Sequence, residues 1–297
     1  EDEGRYIRVL LPNQIFIRTY QNKLNYSLKV NFLKLKNSDL GFYKFLSKIS
    51  NQLQYSIDKK TNLDINPEIE INPFSVDENS LLAYNYSLKN VFYFNRTKQK
   101  FSLGFTFLEN KSKSNFSFGS TKSSSLIKKI NFIHKIGDLF LMEVIGNRQN
   151  KTNWSENFQD KNFNIRDNSI NPKFTYYSGE NNRIDFIYKL SNIKNSIGNQ
   201  ESLKQQNFGI SLFLNQKEKT GFISEFNYYN NQFSGNINSV ISYIMMNGLQ
   251  KGENYTWSLK FQRKLSKLID INFLYRGRKS KSAKTIHNGS VQLKAIF

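Results

Sequence analysis

A chain of 297 residues is long enough for one large domain or two ordinary ones, so length leaves a conventional packed core open. Phe (26) and Tyr (16) are abundant, Pro (4) is scarce and Cys is absent, a balance that favours strands and excludes a disulfide framework and a thiolate metal site. The formal charge of +20 is spread along the whole chain, with no basic arm, zinc-finger spacing or RNP-type signature to direct it at nucleic acid.

No stretch approaches the roughly 18 uninterrupted apolar residues of a transmembrane helix. A transmembrane barrel stays open, because its strands are polar at every second residue. The opening EDEGRYIRV has neither an initiator Met nor a signal peptide, so a processed or truncated piece of a longer protein is expected.

Period-2 alternation predicts strands near 24–35, 50–62, 81–96, 99–110, 123–136, 138–150, 172–179, 183–194, 203–216, 221–236, 253–265, 268–280 and 285–297. A further strand over 4–18 brings the total to about 14. In 81–96, Leu82, Tyr84, Tyr86, Leu88, Phe92 and Phe94 fall on one face while Asn85, Ser87 and Lys89 fall on the other. A twelve-residue strand tilted by about 40° spans roughly 30 Å, a better match to a hydrocarbon layer than to a sandwich, whose strands run nearer six residues.

The connections alternate. Short links lie near 97–98, 137, 179–182, 217–220 and 266–267, and long polar ones at 63–80, 111–122, 151–171, 195–202 and 237–252. Tight turns on one side and long loops on the other are the asymmetry of an outer-membrane barrel with short periplasmic turns. Three links break the rule. Residues 19–23 and 281–284 are short on the exterior side, and 36–49 is long on the periplasmic side. Within the last, Leu40, Tyr43, Phe45, Leu46 and Ile49 have rough helical spacing with Ser38 or Asp39 as a cap, which predicts a short amphipathic helix near 38–49 at the inner rim.

The fold expectation is therefore all-β, an antiparallel transmembrane β-barrel of about 14 strands. Tyr255, Trp257, Leu259, Phe261, Ile271, Phe273, Tyr275, Val291, Leu293 and Phe297 are expected to face lipid, and Lys260, Lys264, Asp270, Arg276, Arg278 and Lys294 the lumen. Centring the last tight turn on Lys267 sets Phe261 opposite Phe273, Leu259 opposite Tyr275, Trp257 over Gly277, and Lys264 opposite Asp270.

The segments GLQKGENYTW (248–257), LYRGRKS (274–280) and TIHNGSVQLKAIF (285–297) resemble the C-terminal ends of large outer-membrane β-barrel proteins of Bacteroidota-type bacteria. The rest of the chain is similar to them in its Asn-, Lys-, Tyr- and Phe-rich strands. The resemblance implies one outer-membrane barrel domain over 1–297, the C-terminal part of a longer protein, closing alone or within a larger barrel. It implies no chemistry. The alternation Val291, Leu293, Ala295, Phe297 also resembles the signal read by the barrel-insertion machinery, which makes that machinery an expected partner, together with outer-membrane lipids and lipopolysaccharide.

Candidate chemistry is thin. His134 and His287 lie far apart with no metal-ligand spacing, and Ser290 falls on the opposite strand face from His287, so neither a metal site nor a Ser/His nucleophile is expected. FGSTKSS (118–124) lacks Walker spacing and reads as an exterior loop. No enzyme, cofactor or nucleic-acid partner is expected; the barrel serves as a pore, translocation conduit or anchoring scaffold. The alternative is a soluble all-β protein whose basic face binds nucleic acid or a polyanionic glycan.

Overall fold

The computed structural model describes residues 17–37, 40–65, 77–96, 100–116, 119–216, 220–266, 268–281 and 283–295. Within them thirteen strands form one antiparallel sheet in strictly sequential order. They are β1 (Thr19–Asn31), β2 (Ile49–Asn62), β3 (Leu81–Phe94), β4 (Phe101–Phe116), β5 (Gly119–Ile136), β6 (Phe140–Ser155), β7 (Phe163–Ser178), β8 (Asn182–Asn195), β9 (Ser202–Gln216), β10 (Thr220–Ser234), β11 (Gly252–Lys264), β12 (Ile269–Ser280) and β13 (Ile286–Ala295). Two short helices punctuate them, α1 (Gly41–Leu46) and α2 (Val240–Met245). Among the described residues no ladder joins β1 to β13.

The sheet's two faces invert the usual pattern. On β8, Asp185 (4 % exposed), Ser191 (1 %) and Asn195 are buried, while Phe186 (49 %) and Leu190 lie open. On β9, Gln205, Asn207 and Ser211 are buried while Phe208 and Ile210 are exposed. A single-layer sheet has no second layer to bury one face. Curvature does it instead, crowding the side chains of the concave face and splaying those of the convex one. Polar residues therefore line the inside and aromatic and aliphatic residues the outside, as a barrel in lipid requires.

At the end where β5 turns into β6 and β7 into β8, Gly137 (φ 64°) and Gly179 (φ 75°) take the left-handed conformation of tight hairpins. The opposite end carries the longer connections, including 63–80, 196–201 and 235–251. We call it the exterior end.

Several boundaries differ from expectation, for one physical reason. The expected loops 111–122 and 151–171 are largely strand: β4 and β5 continue to Phe116 and from Gly119, and β7 begins at Phe163. Apart from Ile165 and its neighbour Phe163, both faces there are largely polar. Ser112 and Ser123 hydrogen-bond at 2.8 Å, and Ser124 and Thr152 at 2.6 Å, so the ladder continues although hydropathy no longer alternates. Residues 19–23, expected as a link, open β1, and 33–37 form a 3-10 turn. Most of the expected strand over 4–18 lies outside the described residues.

The helix near 38–49 is shorter than expected. It spans Gly41–Leu46, Leu40 precedes it with no side-chain cap bond, and Ser38 and Asp39 lie outside the described residues. Its Phe42 and Phe45 are exposed, and the Phe45 ring sits 5.8 Å from that of the outward-facing Phe94.

The β11–β12 register has Phe261 opposite Phe273, Leu259 opposite Tyr275, Trp257 opposite Gly277 and Lys264 opposite Asp270. The Trp257 indole lies flat over Gly277, where an added Cβ would collide with the ring. Gly277→Ala is expected to destabilise the barrel by about 1–3 kcal/mol through overpacking. Chemical unfolding followed by Trp fluorescence checks this; an unchanged midpoint would show that the indole is free to move.

Candidate functional site

The strand register sorts the residues singled out by sequence. Tyr255, Trp257, Leu259, Phe261, Ile271, Phe273, Tyr275, Val291 and Leu293 share the convex face, and Phe297 lies outside the described residues. Lys260, Lys264, Asp270, Arg276, Arg278 and Lys294 share the concave face. Lys264 and Asp270 oppose each other without forming an ion pair. Both histidines are convex: His134 stacks on Phe132, and His287 Nδ1 lies 2.7 Å from the Tyr275 hydroxyl beside Trp257. Ser290 points to the other face.

The concave face is cation-rich, and four of its acids are engaged locally, whereas Asp167 and Asp270 form no ion pair among the described residues. Lys173 meets Glu143 at 2.7 Å, Arg183 meets Asp185 at 3.4 Å with Thr175 Oγ1 donating to the same carboxylate at 2.6 Å, and Lys23 meets Asp58 at 3.8 Å. Ser258 donates to Glu225 at 3.3 Å. That leaves Lys260, Lys264 and Arg276 exposed on the same surface without an acidic partner among the described residues. Near the short-turn end a cavity of about 430 Å3 opens between Tyr177, Arg183, Phe213, Ile223, Gln262 and Lys264. The Arg183 guanidinium stacks 4.0 Å from the centre of the Phe213 ring. Such a surface attracts anions, with a planar cation and an aromatic ring at one rim.

The exterior mouth carries what sequence reading missed. Ile165, Ile193, Leu203 and Phe233 project from four neighbouring strands onto the concave face, where Ile241, Met245 and Met246 of the α2 segment cover them. Leu203 is 0 % exposed and Met245 2 %. Hydrogen bonds fix the same segment: the carbonyl of Gln250 accepts from Asn231 at 2.9 Å and Asn254 at 2.8 Å, and Asn231 accepts from Gln205 at 2.9 Å. Segment 237–252 reads as a polar loop, yet Ser239 followed by Val240, Ile241, Ile244 and Met245 has the cap and spacing of a helix, and Ser239 does accept from the Ser242 amide at 3.0 Å.

Beyond the strands, in the β2–β3 connection, the Ser80 side chain and the Asn79 amide hold the Asp77 carboxyl below its usual range. The Lys122 ammonium, 3.0 Å away, does the same for Glu78.

On the convex face of β12, β11, β8 and β5 the last apolar residue stands progressively nearer the exterior end. From Tyr275, hydrogen-bonded neighbours run through Leu259, Ser224, Leu212, Ile184, Tyr176 and Phe140 to Ile136 on β5. The last outward apolar residue toward the exterior is Tyr275 itself on β12, but Tyr255 on β11 lies four residues above that row, Leu190 on β8 six, and Leu126 on β5 ten. Ten residues at about 3.3 Å rise, over seven strand spacings of about 4.8 Å, give a slope of about 44°. Strands of membrane barrels tilt by about 35–45°, so the edge of the apolar band is level when these strands stand at the ordinary tilt.

No protein-family model matches the sequence, and no curated protein matches it. Among solved structures, the ferric-catecholate import receptor Fiu from E. coli K12, in its open form, aligns at TM-score 0.53 and 10% identity over 93% of this chain and 56% of that one. CdiB from Acinetobacter baumannii aligns at TM-score 0.49 and 9% identity over 95% of this chain and 51% of that one. A loop-deletion mutant of OmpT, an outer membrane protein of Vibrio cholerae, aligns at TM-score 0.43 and 7% identity over 94% and 98%. The chain thus spans about half the length of the first two. At these identities the likeness is one of fold, resting on the alignment at 0.53. With one antiparallel meander, an apolar outside and a polar inside, the chain has the fold of the outer-membrane β-barrels.

Proposed function

We propose that the chain resides in a bacterial outer membrane and walls a hydrated conduit for anionic or strongly polar cargo, with segment 235–251 folded inside to narrow the exterior mouth. The observation that carries this reading is the concave face: polar side chains as buried as Ser191 (1 % exposed) share it with Lys260, Lys264 and Arg276, none of which forms an ion pair among the described residues. Water and mobile anions supply the missing screening in an open lumen. The convex aromatic band supports the membrane location, since an apolar surface of this extent in water drives aggregation.

Reconstitution in a planar bilayer under a salt gradient tests the proposal. The expected result is a conductance whose reversal potential reports anion preference, reduced when Lys260, Lys264 and Arg276 are changed together to Gln. Cation preference would overturn the cargo class. A sealed barrel that conducts nothing even after removal of 237–249 would replace the conduit with an anchoring scaffold.

A further inference from the structure

Four cations stand together on the convex face, straddling the exterior edge of the apolar band. Lys128 on β5 lies directly opposite Arg148 on β6, and Arg166 on β7 directly opposite Lys194 on β8. The two pairs are contiguous, because Arg148 opposes Asn168 and Arg166 is two residues along from it. Diagonal neighbours of that kind are about 7–8 Å apart. All four side chains are exposed, and among the described residues none has an ion-pair partner.

This arrangement is unfavourable by itself, because like charges directly opposite on a sheet repel, and here two such pairs adjoin. Their height is specific. One row below Lys128 and Arg148 come Ile130, Gly146, Ile170 and Leu190, with Ile130 52 % and Ile170 47 % exposed. The oblique band edge, set by Leu126 on β5, places Lys128 one outward position inside it, Arg148 close to it, and Arg166 and Lys194 above it. A ligand that satisfies both features has acyl chains below and at least one phosphate above. Asn150, opposite Arg166, and Asn192, two residues from Lys194, add amide donors for phosphate oxygens.

We propose that the patch Lys128, Arg148, Arg166 and Lys194 is a docking surface for the phosphorylated headgroup of a lipid A-type glycolipid in the outer leaflet, with its acyl chains on Ile130, Ile170 and Leu190. The proposal rests on the membrane reading above. Bound phosphate converts the repulsion within each pair into shared attraction, and Arg supplies the fork geometry that phosphate accepts. It also gives the barrel a fixed lipid neighbour on the β5–β8 side.

The test uses the whole chain folded in neutral detergent, with thermal unfolding read as loss of heat-modifiable migration. Probes are bisphosphorylated lipid A, the same lipid without phosphates, phosphatidylethanolamine and inorganic phosphate. Bisphosphorylated lipid A is expected to raise the midpoint by several degrees and the other three to leave it nearly unchanged. The Arg148→Gln/Lys194→Gln double variant is expected to unfold at the same or a higher temperature without lipid, because repulsion is relieved, and to lose most of the lipid A shift. Should that variant not fold, Arg166→Gln alone is read the same way. Equal shifts with the dephosphorylated lipid, a shift reproduced by inorganic phosphate, or a double variant that keeps the full shift would each overturn the docking surface. If instead the unmodified chain shows no heat-modifiable folded form in detergent, the membrane reading itself has failed.

Discussion

Arginine at Phe186 is expected to lower the stability of the barrel in lipid vesicles by about 2–4 kcal/mol, the range for a cation near the bilayer midplane on the lipid face. Phe186 is 49 % exposed, and its row continues through Phe174 on one side and Ile210 on the other, both open on the same face. Neither of these immediate row neighbours offers a polar group to receive the charge. The exterior rim lies beyond Tyr188 and Leu190 on the same strand, so snorkelling must cross two further apolar positions. Arginine at Asn192, above the band edge, serves as the comparison and is expected to cost about 0–1 kcal/mol. Equilibrium unfolding in urea from vesicles measures both. Equal costs at the two positions would mean that Phe186 does not face hydrocarbon.

Met245→Asp should release the α2 segment without unfolding the barrel. Met245 is 2 % exposed against Leu203 and its neighbours, so the variant loses an apolar contact worth about 2–5 kcal/mol and places a carboxylate where no donor waits. Undocking the helix relieves both at once, because the segment is a connection between β10 and β11 and not part of the ladder. The expected result is a heat-modifiable barrel that a protease now cuts within 237–249, with a larger single-channel conductance than the unaltered chain. Cutting and conductance that both match the unaltered chain would show that the apolar cluster does not hold the mouth narrow.

Strands β8 and β9 were legible almost to the residue, expected at 183–194 and 203–216 and found at Asn182–Asn195 and Ser202–Gln216, because one face is apolar along most of their length. The first half of β7 was not. Around Arg166, Asp167, Asn168 and Ser169 both faces are polar, so hydropathy carries no period there, and only the ladder to Asn150 and Lys194 reveals a strand. The last hairpin's register was readable because a one-residue slip would have mixed its faces, whereas the missing ion pair between Lys264 and Asp270 depends on side-chain conformation, which register does not set. Arg148 and Arg166 are unremarkable in sequence. They become one patch only when β6 and β7 are laid side by side. The α2 plug was hidden by its flanks, where Asn236, Asn238, Asn247 and Gly248 read as loop and outweigh the short helical pattern between them.

Strictly sequential pairing makes the hairpin the unit of variation in this molecule. Every strand's ladder neighbours, among the described residues, are the strands before and after it in the chain. Adding or deleting two consecutive strands keeps every remaining strand running the same way and keeps tight turns and long connections on their own sides. A change of one strand reverses all that follow, turning the long connections to the side of the tight turns. Girth can therefore grow or shrink by pairs over evolutionary time while each surviving residue keeps its solvent, and excising the β5–β6 hairpin whole is a gentler edit than removing either strand alone.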